Sequence, residues 1–298
     1  MELALHIGAH RTATTSLQQT LGKASAELAA AGMAFWGPEA MRVPGRRDHA
    51  RNLRRAAEDA AARAAAEAAR RDVVGAMAGL AGGGIGRLLV SEENLIGTME
   101  GNFAAGALYP NAGRNLAAAA DLFGRPPSEV FLGIRDYAGW WASAYAQCLV
   151  LREMPPFEAE RIAASARGWP EVAEDVAAAL PGARMTLWRH GPGAPEAALA
   201  AMLPAPLAGR VVLRGRRANA ALSARGLVRF AARRRREGGF DPAARRAAVN
   251  ALRETGGPPF RPFPPDLAAA LADRFERDWA RVSRMPGVRV IGQGEAAR

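Results

Sequence analysis

One recurring unit constrains the fold of this chain more than any other feature: a short apolar run of strand length, a break, and then a stretch of helical periodicity. The apolar runs lie at residues 3–7, 34–36, 88–90, 130–134, 185–188 and 288–291. Between them the spacing predicts helices. One begins at Thr14–Thr15–Ser16, carries Leu17, Leu21 and Leu28, and stops at Gly32. Others cover 49–77, 113–124, the stretch from Asp136 through Cys148, 170–180, 194–203, 219–237, 241–254 and 265–283. Residues 37–50 and 95–112 read as irregular and 152–169 as mixed. Buried strands alternating with helices predict a central, mostly parallel sheet covered on both faces, a three-layer α/β/α architecture. Neither a repeat nor a long linker divides the chain, so residues 1–298 read as one domain, with irregular or helical covers near 37–70 and 151–170.

The first unit is the most informative. The apolar run 3–7 is broken by Gly8, and hydroxyls at Thr14, Thr15 and Ser16 stand where the helix begins. A tight loop entering a helix leaves backbone N–H groups unpaired at the positive end of the helix dipole, which suits a phosphate or sulfate. The loop does not match a Walker sequence. That motif needs Gly, four residues, Gly, Lys and then Ser or Thr, and here Gly8 is followed after four residues by Ala13, Thr14 and Thr15. An ordinary ATPase or nucleotide kinase is therefore not expected.

Composition adds bounds. The chain is 49% hydrophobic, enough for a core. Its formal net charge is +11, and Lys23 is the single lysine among 40 basic residues, so arginine carries the excess. Residues 201–250 concentrate it, with twelve arginines against Glu237 and Asp241. One cysteine, Cys148, excludes an internal disulfide and a cysteine-based zinc site, and fits a reducing compartment. No basic n-region precedes the first apolar run, and no window approaches the roughly 20 apolar residues of a membrane span. The expected location is the cytoplasm.

In parallel sheets ligands collect at the C-terminal ends of strands. Polar residues stand at three such ends: His10 and Arg11, Glu92 and Glu93, and Arg135 and Asp136. Three strand ends point to one site.

On these residues the chain resembles the sulfotransferases that use 3′-phosphoadenosine 5′-phosphosulfate, bacterial members especially. Their first motif is an apolar strand, a loop of the type Lys-Thr/Ser-Gly-Thr-Thr, and a helix. Arg11, Thr12, Ala13, Thr14 and Thr15 hold that place here, followed by Ser16, Leu17 and Gln18. Their second motif is a strand ending in Arg with a Ser eight residues later, usually before Tyr, matched by Arg135, Ser143 and Tyr145. Ser91–Glu92–Glu93–Asn94 and the segment 219–223 also look like bacterial members. The resemblance implies a P-loop NTPase-like fold and sulfuryl transfer from that co-substrate to an acceptor hydroxyl on a saccharide, lipid or small molecule, without a metal. It implies that residues 11–16 hold the 5′-phosphosulfate and that Arg135 and Ser143 hold the 3′-phosphate. Arg214, Arg216 and Arg217, in a late basic loop, are candidates to cover that phosphate.

Two departures stand out. Arginine replaces lysine at Arg11, which keeps the charge but is a poor proton donor. Ala13 replaces glycine, which matters if the position needs a positive φ. They motivate an alternative, a weak or inactive relative that binds nucleotide or a partner. A proton acceptor for the hydroxyl is sought among Glu92, Glu93 and His49, the last in a segment resembling a histidine-bearing one in bacterial relatives. His10 lies in the loop, and His6 reads as a packing residue. Arg233 to Arg236 read as a solvated helix face, and the 201–250 segment offers weak, nonspecific polyanion binding, the basis of a second alternative as a charge-driven nucleic-acid-binding protein.

Overall fold

The computed structural model describes residues 1–213, 222–253 and 257–292. Six strands form one sheet: β1 (Glu2–His6), β2 (Met33–Trp36), β3 (Arg87–Ser91), β4 (Glu129–Ile134), β5 (Arg184–Arg189) and β6 (Val288–Ile291). Their order is β2-β3-β1-β4-β5-β6, and every neighbouring pair runs parallel.

Period-two alternation sorts the strand residues between two cores. Leu3, Leu5, Leu88, Val90, Val130, Leu132 and Leu187 face one side. Ala4, Leu89, Phe131 and Trp188 face the other. The first side is covered by α5 (Ala60–Gly82), α7 (Ala112–Leu122), α8 (Tyr137–Leu151), α10 (Trp169–Ala179) and α14 (Pro265–Val282), through residues such as Val73, Leu116, Trp140, Val172 and Phe275. The second is covered by α1 (Thr14–Lys23), α2 (Ser25–Ala30) and α11 (Ala194–Met202), through Leu17, Leu21, Leu28 and Leu199. Helices on both faces of a parallel sheet give the expected three layers. A smaller cluster joins α12 (Ala224–Arg236) and α13 (Pro242–Arg253) to α8 around Phe230 and Ala146.

Three boundaries differ from the sequence reading. The long helix expected over 49–77 is two, α4 (His49–Arg55) and α5, because Asp59 caps the second: its backbone is extended and its carboxylate accepts from the Ala62 N–H. The helix expected to run to Gly32 breaks at Ala24 between α1 and α2. The stretches read as irregular or mixed hold short helices, α3 (Pro38–Met41), α6 (Met99–Ala105) and α9 (Ala159–Ala163), with α6 capped by Thr98 accepting from the Gly101 N–H. No helix among the described residues is long and apolar enough to cross a membrane.

The chain leaves β1 toward β2 and leaves β4 toward β5, in opposite directions across the sheet. The connections therefore part above the ends of β1 and β4, the place where an open α/β sheet forms a crevice.

Candidate functional site

The loop after β1 is fastened from below by β4. The Ala9 N–H donates to the Gly133 carbonyl (2.8 Å), and the Gly133 N–H donates to the Gly8 carbonyl (2.5 Å). Gly133 must be glycine for space, since an added Cβ would lie 2.6 Å from Trp188 Nε1. Gly8 has φ 100°, and a Cβ there would come within 3.0 Å of Glu93 Cβ. Thr12 and Thr14 both donate their hydroxyls inward to the Ala9 carbonyl, at 2.7 and 3.1 Å. They brace the loop from inside, and Thr12 is fully buried.

Arg11 and Ala13 sit in the left-handed region, with φ 66° and 72°. The position where the motif carries glycine thus does take a positive φ, and Ala13 takes it with a side chain. Helix α1 starts at Thr14 without a side-chain cap.

Trp140 and Tyr109 hold the loop from the α8 side. Trp140 Nε1–H donates to the His10 carbonyl (2.9 Å). The Tyr109 hydroxyl accepts from the His10 N–H (3.1 Å) and lies 2.9 Å from His10 Nδ1. With its oxygen already accepting, Tyr109 donates its proton to Nδ1, so Nε2–H donates to Asn94 Oδ1 (3.2 Å). The network uses a neutral imidazole. Burial pulls the His10 pKa down, against the attraction of Glu93 and Glu92 and the Asn94 bond.

Above the loop lies a cavity of about 640 Å³, walled by His10, Arg11, Ala13 to Ser16, Arg135, Gln147 and His190 among others. Its cations are unevenly satisfied. Arg11 donates from Nε to Ser143 Oγ (2.8 Å) and from a terminal nitrogen to Gln147 Oε1 (3.3 Å), groups one turn apart on α8. Arg135 makes one long bond, to the Arg11 carbonyl (3.3 Å). Its Nε is buried without a hydrogen-bond partner, and Asp136 stands off at 3.8 Å. Asp136 is committed to capping α8 through the Gly139 N–H. Burial depresses the Arg135 pKa, and Asp136 offsets this only in part. His190 lies in the same corner. Burial lowers its pKa to about 4; Arg135 pushes the same way, Asp136 opposes and Arg11 adds. Its Nδ1 has no partner either.

The candidate proton acceptors separate. Glu92 is buried, paired at both oxygens with Arg42 (2.7 and 2.8 Å), and accepts from the Asn94 N–H. It is a structural anchor. Glu93 lies in the cavity wall, accepts from Gln18 (2.9 Å) and sits 3.4 Å from Arg42. Burial works to raise its pKa, but His10, Arg42, its own backbone N–H and Gln18 outweigh it and hold the carboxyl below its ordinary range. His49 is in neither the loop nor its cavity. It is buried in the wall of a second cavity, its Nε2 2.8 Å from Asp121 Oδ2.

The loop residues, Arg135 and Ser143 are thus brought together as the sequence suggests, with Ser143 reaching the cavity through Arg11. Arg214, Arg216 and Arg217 lie outside the described residues. On α12, Arg233 pairs with Glu237 and Arg234 donates to the Leu149 carbonyl. Sequence reasoning missed His190, Gln147, Arg42 and the Tyr109 hydroxyl. His190 had a signal, since it follows β5 directly as Arg135 follows β4. His6 is a packing residue, bonded to Ser91 Oγ (2.8 Å) and lying against Trp188.

Comparison of the chain with protein-family models, curated proteins and solved structures finds no match to any of them.

Proposed function

We propose that this protein is a P-loop-like sulfotransferase using 3′-phosphoadenosine 5′-phosphosulfate as donor. The observation that carries the reading is Arg135: a half-buried guanidinium, short of partners, facing the same cavity as the start of α1. An anion at that point would pair with this under-satisfied guanidinium and offset the cost of burial. The bonds that place Arg11 against Ser143 and Gln147 put a second guanidinium in the same wall. In this reading the first turn of α1 and Arg11 hold the 5′ end, and Arg135 holds the 3′-phosphate with Ser143 behind it. The bound donor would supply an electrophilic sulfuryl group. Fixed cations near the leaving oxygen are each worth roughly 2–4 kcal/mol in a transition state that builds negative charge there. Glu93 and His49 are the groups able to take the acceptor's proton, because Glu92 has both oxygens held.

A second reading rests on Arg11. Its guanidinium, though in the cavity wall, is engaged by Ser143 and Gln147 of α8, which suits a protein that binds the nucleotide without transferring sulfate. The Arg11→Lys, Ala13→Gly double variant separates the two, creating turnover only if the native chain lacks it.

The direct test is calorimetric titration with 3′-phosphoadenosine 5′-phosphate beside AMP and ATP. The expected result is preference for the bisphosphate, weakened about 10- to 100-fold in Arg135→Ala, as for loss of a charge-assisted bond. Equal binding of AMP and the bisphosphate would overturn the reading.

A further inference from the structure

The second cavity, about 560 Å³, shares Arg42, Asn94 and Thr98 with the first. Its wall carries six arginines, Arg42, Arg46, Arg47, Arg51, Arg54 and Arg114, against one carboxylate, Glu92. Four are ion-paired. Arg42 pairs with Glu92 and Glu93, Arg46 with Asp72, and Arg47 and Arg51 divide Asp48 between them at 3.8 and 3.2 Å. Arg54 and Arg114 are exposed and, among the described residues, form no ion pair. The floor is apolar, with Met41, Ile96 and Leu122 buried in it.

Two buried polar atoms in this wall lack partners. Asn102 is 1% exposed; its Oδ1 accepts from the Tyr109 N–H, which leaves the Nδ2 donor unmatched. His49 is 2% exposed; its Nε2 lies 2.8 Å from Asp121 Oδ2, and its Nδ1 has no partner. Asn102 is bonded beside Tyr109, just before α7, and His49 beside Asp121, in the last turn of α7, so the two unmatched atoms mark two ends of the wall.

We propose that this cavity binds a small polar molecule that carries a carboxylate or phosphate, lying along α7 between Asn102 and His49 with its charge toward Arg54 and Arg114. Its size suits a small molecule, and its apolar floor gives the uncharged part a surface to cover. On the sulfotransferase reading this molecule is the acceptor, since the shared wall brings the two cavities together.

The test is calorimetry on the full chain with matched pairs: glucuronate and glucose 6-phosphate against glucose, and 4-hydroxyphenylacetate against its methyl ester. Each is run with and without 3′-phosphoadenosine 5′-phosphate. The expected result is that a charged member binds at least about tenfold more tightly than its neutral counterpart. That preference should vanish in the Arg54→Ala, Arg114→Ala variant, whose exposed sites leave folding intact, and persist in Arg135→Ala. The two charged sugars show whether carboxylate or phosphate is favoured. Absence of preference in every pair, or a preference unchanged in the double variant, overturns the inference. Nucleotide binding without it leaves the donor reading standing alone, while the preference without nucleotide binding removes the donor reading and leaves the cavity's ligand class in place.

Discussion

The indole of Trp140 holds the carbonyl of His10 at 2.9 Å, so a core residue of α8 fixes the backbone of the loop after β1. Trp140→Phe keeps one aromatic ring but removes the N–H donor with the pyrrole part of the indole, leaving a buried carbonyl unmatched and a small cavity beside it. The expected loss is about 1–3 kcal/mol of unfolding free energy, read by denaturant titration. Weaker nucleotide binding should accompany it, because the loop loses a constraint. An unchanged midpoint would mean that the carbonyl finds another donor.

Ala13 occupies the left-handed region at φ 72°. Glycine adopts that conformation without the Cβ contact that makes it costly for alanine. Ala13→Gly should therefore raise stability by about 1 kcal/mol, unlike most glycine substitutions, with the same substitution at Ala24 (φ −93°) as a destabilising control. A fall in stability at Ala13 would show that the unfolded-state entropy of glycine outweighs the local strain.

Space between β4 and β5 allows a paired test. Gly133→Ala would press a methyl group into the Trp188 ring, with a Cβ 2.6 Å from Nε1. Overpacking of this kind costs about 1–3 kcal/mol. Combining it with Trp188→Phe should recover part of that loss, seen as a favourable coupling in a double-mutant cycle. Simple additivity would place the strain elsewhere.

Stability should fall in mild acid because of His6. Burial holds its pKa at about 4, with Glu93 opposing, against 6.5 in the unfolded chain. Between those values the unfolded state binds more protons, so unfolding free energy rises with pH. The contribution is complete above about pH 6.5 and is lost as the pH falls toward about 4, amounting to about 3 kcal/mol. His10 and His190, also depressed, add in the same direction. His6→Asn should flatten the profile measured by denaturation across this range.

His190 offers a spectroscopic check of the anion site. Arg135 and Arg11 help keep it neutral, with a pKa of about 4. A bound polyanion would cancel part of their repulsion and raise that pKa, so affinity for 3′-phosphoadenosine 5′-phosphate should increase as the pH falls toward about 5. Carbon-detected NMR of the His190 ring, with and without the nucleotide, reads the shift directly. No upward movement would place the phosphates away from this corner.

The layers of the fold were legible because strand runs and helix periods alternate cleanly. Helix breaks were less so. Alanine and arginine favour helix throughout residues 49–77, and the interruption rests on a single capping side chain, Asp59. At the site, Arg135 and the loop stood out because they follow strands, which any parallel sheet brings to one edge. Nothing local shows that Ser143 would accept from Arg11, or that Glu92 would be fastened by Arg42, fifty positions earlier in the chain. Such pairings depend on packing between distant segments. The two unmatched atoms of His49 and Asn102 emerge only once burial is known.

The wall of the second cavity is drawn from residues 41–122, the stretch of chain between β2 and β4. The clamps on the first loop come largely from outside it, from Gly133, Trp140 and α1. Ligand preference in the second cavity is thus open to change by grafting that stretch from another chain while the loop keeps its scaffold. Such a graft would have to carry Ser91, Glu93, Asn94 and Tyr109 unchanged, because their contacts with His6, Gln18 and His10 stitch the two parts together.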